Sequence, residues 1–168
     1  MQVLFLGPCR KQNRQTGAAH PPFDPATPSG RYVTLVQRAL KSIACEFHFS
    51  NVIDRPFLCS ARCDEINPTP KDLLSEWAQF ERRLKKLGVD CIVAFGSNVR
   101  DAFSRADGVE YVSGNIYRRG QHRIIFAPHP SFVMIYRRKK MSSYIRSLSR
   151  LISDGAALRQ DFGDAKVS

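Results

Sequence analysis

The stretch "GVDCIVAFGSNVRDAF", residues 88–103, sets the architecture. Gly88 ends a helical pattern, Val89 to Phe95 is an apolar run suited to a strand, Gly96 closes it, and Val99 to Phe103 lies in a short helix. Working outward, Thr69-Pro70-Lys71-Asp72 is a helix start, followed by a stripe of Leu73, Leu74, Trp77, Leu84 and Leu87. Val33, Val36, Leu40 and Ile43 form an earlier helical face with Ser29 as its cap. Gln2 to Leu6 and Phe47 to Ile53 read as strands, as do Val109 to Val112 and His122 to Ala127, the last two separated by a basic turn, Tyr117-Arg118-Arg119-Gly120. Met141 to Ile152 makes the last helix, with Tyr144, Ile145, Leu148 and Ile152 on one face. Strands alternating with helices imply an α/β fold with a mainly parallel sheet covered on both sides. The expected layout is one domain over residues 1–153 and a flexible C-terminal tail over 154–168.

The chain carries 26 Lys and Arg against 15 Asp and Glu, a net charge of +11 in 168 residues. Such a balance favours polyanionic partners, because neutralising phosphates releases counterions. Nucleic acid is the first partner to expect, with DNA in single- or double-stranded form. No apolar run approaches the roughly 18 residues a membrane helix needs, and no secretory signal pattern opens the chain. The expectation is a monomer without a membrane partner, cytoplasmic, and of bacterial or viral origin. Five cysteines, Cys9, Cys45, Cys59, Cys63 and Cys91, are odd in number and irregular in spacing, which argues against a disulfide framework. Cys59 and Cys63 lack the second pair that a tetrahedral metal site requires.

In parallel sheets ligands collect beyond the carboxyl ends of the strands. Four segments fall there: the long loop after Gly7, the loop after Asn51, the turn at Gly96 and the loop holding His129. In "APHPSFVMIYRRKK", residues 127–140, a histidine between two prolines precedes an apolar tip and four consecutive cations, Arg137 to Lys140.

The order of these motifs resembles the uracil-DNA glycosylase superfamily. "VLFLGPCRKQNRQTG", then "PPF" and "TPSGRYVTLV", is similar to the first motif region, the base-stacking aromatic and the glycine that begins the next helix. "FSNVIDRP" resembles the segment in which an asparagine reads the base, and "APHPSF" the histidine-proline-serine motif. The resemblance spans most of the chain and rests on order and spacing together. It implies a three-layer α/β/α sandwich around a four-stranded, mainly parallel sheet. The implied activity is hydrolysis of an N-glycosidic bond in DNA after base flipping, with no metal, iron-sulfur cluster or other cofactor.

The residue types suit that chemistry. Cleaving the bond between deoxyribose and base leaves positive charge on the sugar and negative charge on the base, so a site needs an anion stabiliser and a positioned water. His129 can donate to a base carbonyl as charge builds there. Asn51 offers donor and acceptor in one amide, and Phe23 can stack on a flipped base. Gly7 and Cys9 would complete the base pocket. The family places a carboxylate or asparagine shortly after its first glycine to orient water, whereas this chain has Gly7-Pro8-Cys9-Arg10. Asn13 and Asp24 are the nearest polar residues that could take that task, and the loop from Gly17 to Ser29 is longer than usual. Ser131 would contact the DNA, an apolar wedge of Phe132, Val133 and Met134 would enter the gap left in the stack, and Arg137, Arg138, Lys139 and Lys140 would hold flanking phosphates.

The implied function is therefore a monofunctional DNA glycosylase, acting on uracil or on a modified pyrimidine such as a phage hypermodified cytosine, in repair or anti-phage defence. The alternative is an inactive DNA-binding or altered-base-sensing module of the same fold. A Rossmann-like nucleotide-binding protein would need a glycine-rich turn after the first strand, and Gly7-Pro8-Cys9-Arg10-Lys11 is not one.

Overall fold

The computed structural model describes residues 1–10, 19–56 and 68–163, and the side chains of all of these except 55–56 and 156–163. Its sheet has six strands in the order β2-β1-β3-β6-β5-β4: β1 (Gln2–Arg10), β2 (Glu46–Pro56), β3 (Cys91–Phe95), β4 (Glu110–Ser113), β5 (Ile116–Arg119) and β6 (His122–Ala127). The first four of that order pair in parallel, and β5 and β4 continue the sheet antiparallel.

Alternation along the parallel strands fills two cores. Leu4, Leu6, Ile92, Ala94, Ile124 and Phe126 point to one face, where α2 (Pro70–Ser75), α3 (Trp77–Leu87) and α4 (Ser97–Phe103) cover them with Leu73, Phe80, Leu84, Val99 and Phe103. Val3, Phe5, Val93, Phe95 and Ile125 point to the other, against Tyr32, Val33, Val36 and Leu40 of α1 (Pro28–Ala39). Val133 of α5 (Pro130–Tyr136) and Leu148 and Ile152 of α6 (Met141–Gly163) complete that side. Both faces of the sheet are thus buried under helices, as near-continuous apolar strands require. None of the described helices is long and apolar enough to cross a membrane.

Several boundaries differ from the sequence expectation. The sheet has six described strands where the resemblance implied four: Val109 to Val112, read as a strand, joins it as β4, and the segment read as a basic turn, Tyr117 to Gly120, is largely strand β5. The chain reverses instead at two two-residue loops, Gly114-Asn115 and Gly120-Gln121, whose glycines take φ of 53° and 54°. Thr27 rather than Ser29 caps α1, its Oγ1 accepting from the Gly30 N–H at 3.1 Å with Pro28 in the first turn. The helix expected to run from Pro70 to Leu87 is divided at Glu76 into α2 and α3. The segment after His129 is helix α5, not a loop. Helix α6 continues through Gly163, so residues 154–163 are helical where a flexible tail was expected.

The start of α2 matches its sequence signature. Thr69 Oγ1 accepts from the Asp72 N–H at 3.3 Å, and the Asp72 carboxylate accepts from the Thr69 N–H at 2.8 Å. Hydrogen bonds from the Thr69 hydroxyl and backbone N–H hold the Asp72 carboxyl below its usual value of 3.8. A depressed carboxylate stabilises the fold above its unfolded pKa and loses that effect as pH falls through the folded value. Thr69→Ala is therefore expected to cost about 1 kcal/mol near neutral pH, a fall in Tm of about 2–4 °C, with the difference shrinking in acid. Thermal unfolding of both proteins across pH checks this.

Candidate functional site

Strands β1, β2 and β6 end at one edge of the sheet, where a cleft of about 350 Å³ opens. Gly7, Cys9 and Arg10 reach it from β1, Asn51 from β2, His129, Ser131 and Ile135 from the start of α5 and its first turns, and His20, Phe23 and Asp24 from the loop before α1. Its size is at the lower end of the roughly 300–1,000 Å³ typical of small-molecule sites.

The wall formed by β1 and β2 depends on a missing side chain. Gly7 and Asn51 are register partners in the parallel pair. A Cβ on Gly7 would stand 2.5 Å from Asn51 Oδ1 and 3.4 Å from Phe23 Cζ, so only glycine lets the amide and the ring close in. Asn51 is 5% exposed, and among the described residues its side-chain amide forms no hydrogen bond. Its backbone is fixed from behind, where Arg83 Nη2 donates to the Asn51 carbonyl at 3.0 Å and the Val52 carbonyl at 2.6 Å. Asp54 lies between two cations, 3.2 Å from Arg83 Nη1 and 3.2 Å from Arg10 Nε.

Phe23 has a φ of 55°, the left-handed region that a bulky L residue seldom occupies. Its ring meets Phe95 edge-on at 5.5 Å and Phe49 at 6.3 Å, on a row in which Phe5 stacks with Phe47, Phe49 and Phe95. Strain at such positions persists only where the surroundings over-determine it. Here Thr27 N–H and Oγ1–H donate to the Asp24 carbonyl at 2.8 and 2.7 Å. Gly30 has no Cβ that would collide with the Phe23 and Asp24 carbonyls.

Two histidines line the described part of the cleft, and each is held by a near neighbour in sequence. His129 Nδ1 lies 2.7 Å from Ser131 Oγ. The Gly96 turn, at φ 101°, brings its backbone close beneath the His129 ring. His20 Nδ1 lies 3.0 Å from Asp24 Oδ2, while Asp24 Oδ1 accepts from the Ala26 N–H at 2.9 Å. The Ala26 N–H first and His20 second hold the Asp24 carboxyl below its ordinary range. His20 escaped sequence inspection, although His20-Pro21-Pro22 repeats the proline-flanked setting of Pro128-His129-Pro130.

Of the residues expected to form the site, Gly7, Cys9, Phe23, Asp24, Asn51, His129 and Ser131 come together in the cleft. Cys9 also packs against the core under β1. Asn13, Cys59 and Cys63 lie outside the described residues. The expected wedge of Phe132, Val133 and Met134 is corrected by the helix. In helical geometry Val133 turns inward and is fully buried, and Met134 packs against the same core. Phe132, Ile135 and Tyr136, 42%, 59% and 73% exposed, form the apolar tip instead. Phe132 and Tyr136 touch at 5.7 Å, and the Arg137 guanidinium sits 5.8 Å from the Phe132 ring. Arg137, Arg138, Lys139 and Lys140 are all exposed beside that tip.

The sequence matches no protein-family model and no curated protein.

The contact between Gly7 and Asn51 can be measured without a ligand. Gly7→Ala is expected to cost about 1–3 kcal/mol through overpacking. Most of that loss should disappear when Asn51→Ala removes the opposing amide, a coupling that a double-mutant cycle in urea unfolding reads directly.

Proposed function

We propose that this chain is a monofunctional DNA glycosylase of the uracil-DNA glycosylase type, which extrudes one nucleotide, hydrolyses its N-glycosidic bond and leaves an abasic site. The observation that carries the reading is the meeting of Asn51, Phe23 and His129, far apart in sequence, around one cleft of a size suited to a single base.

The parts then have distinct tasks. The extruded base lies against Phe23, and the buried Asn51 amide, with both donor and acceptor, pairs with the amide or imide edge of a pyrimidine. Ser131 Oγ–H donates to His129 Nδ1, leaving Nε2–H to donate to the base carbonyl as negative charge develops there. Phe132, Ile135 and Tyr136 occupy the space vacated in the stack, and the exposed cations from Arg137 to Lys140 hold the phosphates. The net charge of +11 fits such a partner. The substrate is uracil or a modified pyrimidine, including the hypermodified cytosines of phage DNA, in which case the role is defence.

A second reading, a module that binds altered DNA without cutting it, draws on one observation: Gly7-Pro8-Cys9-Arg10 presents no carboxylate where the family orients water. Incubation with duplexes bearing different bases, followed by heating in alkali to break abasic sites, separates the two. Strand breaks at one base support the enzyme, and binding without breaks on every substrate overturns it.

In the active protein, His129→Ala should slow base release by about 100-fold or more with DNA affinity little changed. Replacing Arg137 and Arg138 by alanine should instead weaken binding to all sequences, and lower the slope of log affinity against log salt by nearly two. Single-turnover kinetics and salt-dependent binding isotherms give these quantities.

A further inference from the structure

We infer that His20, oriented by Asp24, accepts the proton of the water that attacks the sugar, a task for which Gly7-Pro8-Cys9-Arg10 offers no carboxylate or asparagine. This assignment rests on the glycosylase reading and deepens it.

Three observations lead to it. The His20 ring lines the same cleft as His129, with its side chain 32% exposed. Its Nδ1 is 3.0 Å from Asp24 Oδ2, and a carboxylate can only accept, so in the neutral ring Nδ1 carries the hydrogen and Nε2 the lone pair. Among the described residues, Nε2 has no hydrogen-bond partner. Asp24 is in turn fixed through both carboxylate oxygens and its carbonyl, by His20, the Ala26 N–H and the two donors of Thr27. It is thereby a positioning residue for His20. The two groups behave as a base and its orienter, an arrangement that sets imidazole tautomer and direction in other hydrolases.

The step balances as follows. Water attacks the anomeric carbon, the bond from that carbon to the base nitrogen breaks, and its electron pair leaves on the base, whose carbonyl accepts from His129. The water's proton passes to His20 Nε2, and the imidazolium later releases it to solvent, while the departing base takes up a proton. Among the described residues, the titratable or charged groups that share the cleft with His20 are Asp24, Cys9, Arg10 and His129. Arg10 is a permanent cation beside Asp54 and cannot take up the proton.

The test is single-turnover base release across pH by the parent, His20→Gln, Asp24→Asn and the double variant, on a duplex that the parent cuts. General-base catalysis needs the base unprotonated, so the parent's rate should fall in acid. His20→Gln should lose about 100-fold or more, flatten that acid limb and leave DNA affinity unchanged. Asp24→Asn keeps the acceptor for Ala26 but presents an amide N–H to Nδ1, forcing the hydrogen onto Nε2, and should lose as much. The double variant should be no slower than either single one, since both remove the same lone pair. A parent that cuts while His20→Gln cuts equally fast with the same pH profile overturns the role of His20 alone. A parent that releases no base from any duplex overturns the glycosylase reading, and this role with it. If His20→Gln does not fold, Asp24→Asn decides: full rate with an unchanged acid limb also overturns the assignment.

Discussion

Strand β1 is paired on both sides, with β2 from Gln2 against Glu46 through Gly7 against Asn51, and with β3 from Val3 against Cys91 through Leu6 against Ala94. The strand residues of the cleft, Gly7, Cys9, Arg10 and Asn51, take their positions from that register. A slip of one residue between β1 and β2 would exchange the faces of β2, turning Asn51 away and bringing Ser50 or Val52 beside Gly7. Burial opposes the slip, because Val52 and Ile53 belong to the core and are 1% exposed. The apolar cores therefore hold a polar amide at the one place where the neighbouring strand has no side chain.

The cleft combines rigid and strained parts. His129 is held between two prolines and against the Gly96 turn, and His20 precedes two more prolines. Short-range polar partners, Ser131 for one histidine and Asp24 for the other, help to fix the rings. The unfavourable backbone of Phe23 is offset by ring contacts below it and by the closely packed turn to Gly30. Such over-determination suits a surface that must keep its shape while an aromatic ring or a base lies on it.

How much was legible in the sequence differed by element. Strong periodicity and caps placed β3, β6, the start of α2 at Thr69 and the end of α3 at Gly88 closely. The β5 strand was missed because Arg118 and Arg119 sit in a strand whose residues are half-buried or exposed, so no apolar alternation marks it. Helix α5 was missed because two prolines and a seven-residue length mask its periodicity, and that error put Val133 on the surface when its side chain lies in the core. His20 was overlooked for a different reason: a histidine in a proline-rich loop has no local pattern, and only its distance from Asp24 and its place in the cleft set it apart.

By itself the sequence determined the α/β alternation, the cationic character, and the residue types able to read a base and stabilise charge, since these depend on local propensity and composition. Only the tertiary structure decided which of them meet. The approach of Asn51 to Gly7, the exposure of Ile135 and Tyr136 in place of Val133, and the placing of the His20–Asp24 pair in the cleft that His129 also lines all follow from strand register and helix rotation. Those are settled by how the two cores pack around the sheet, a constraint between residues remote in the chain that no local pattern encodes.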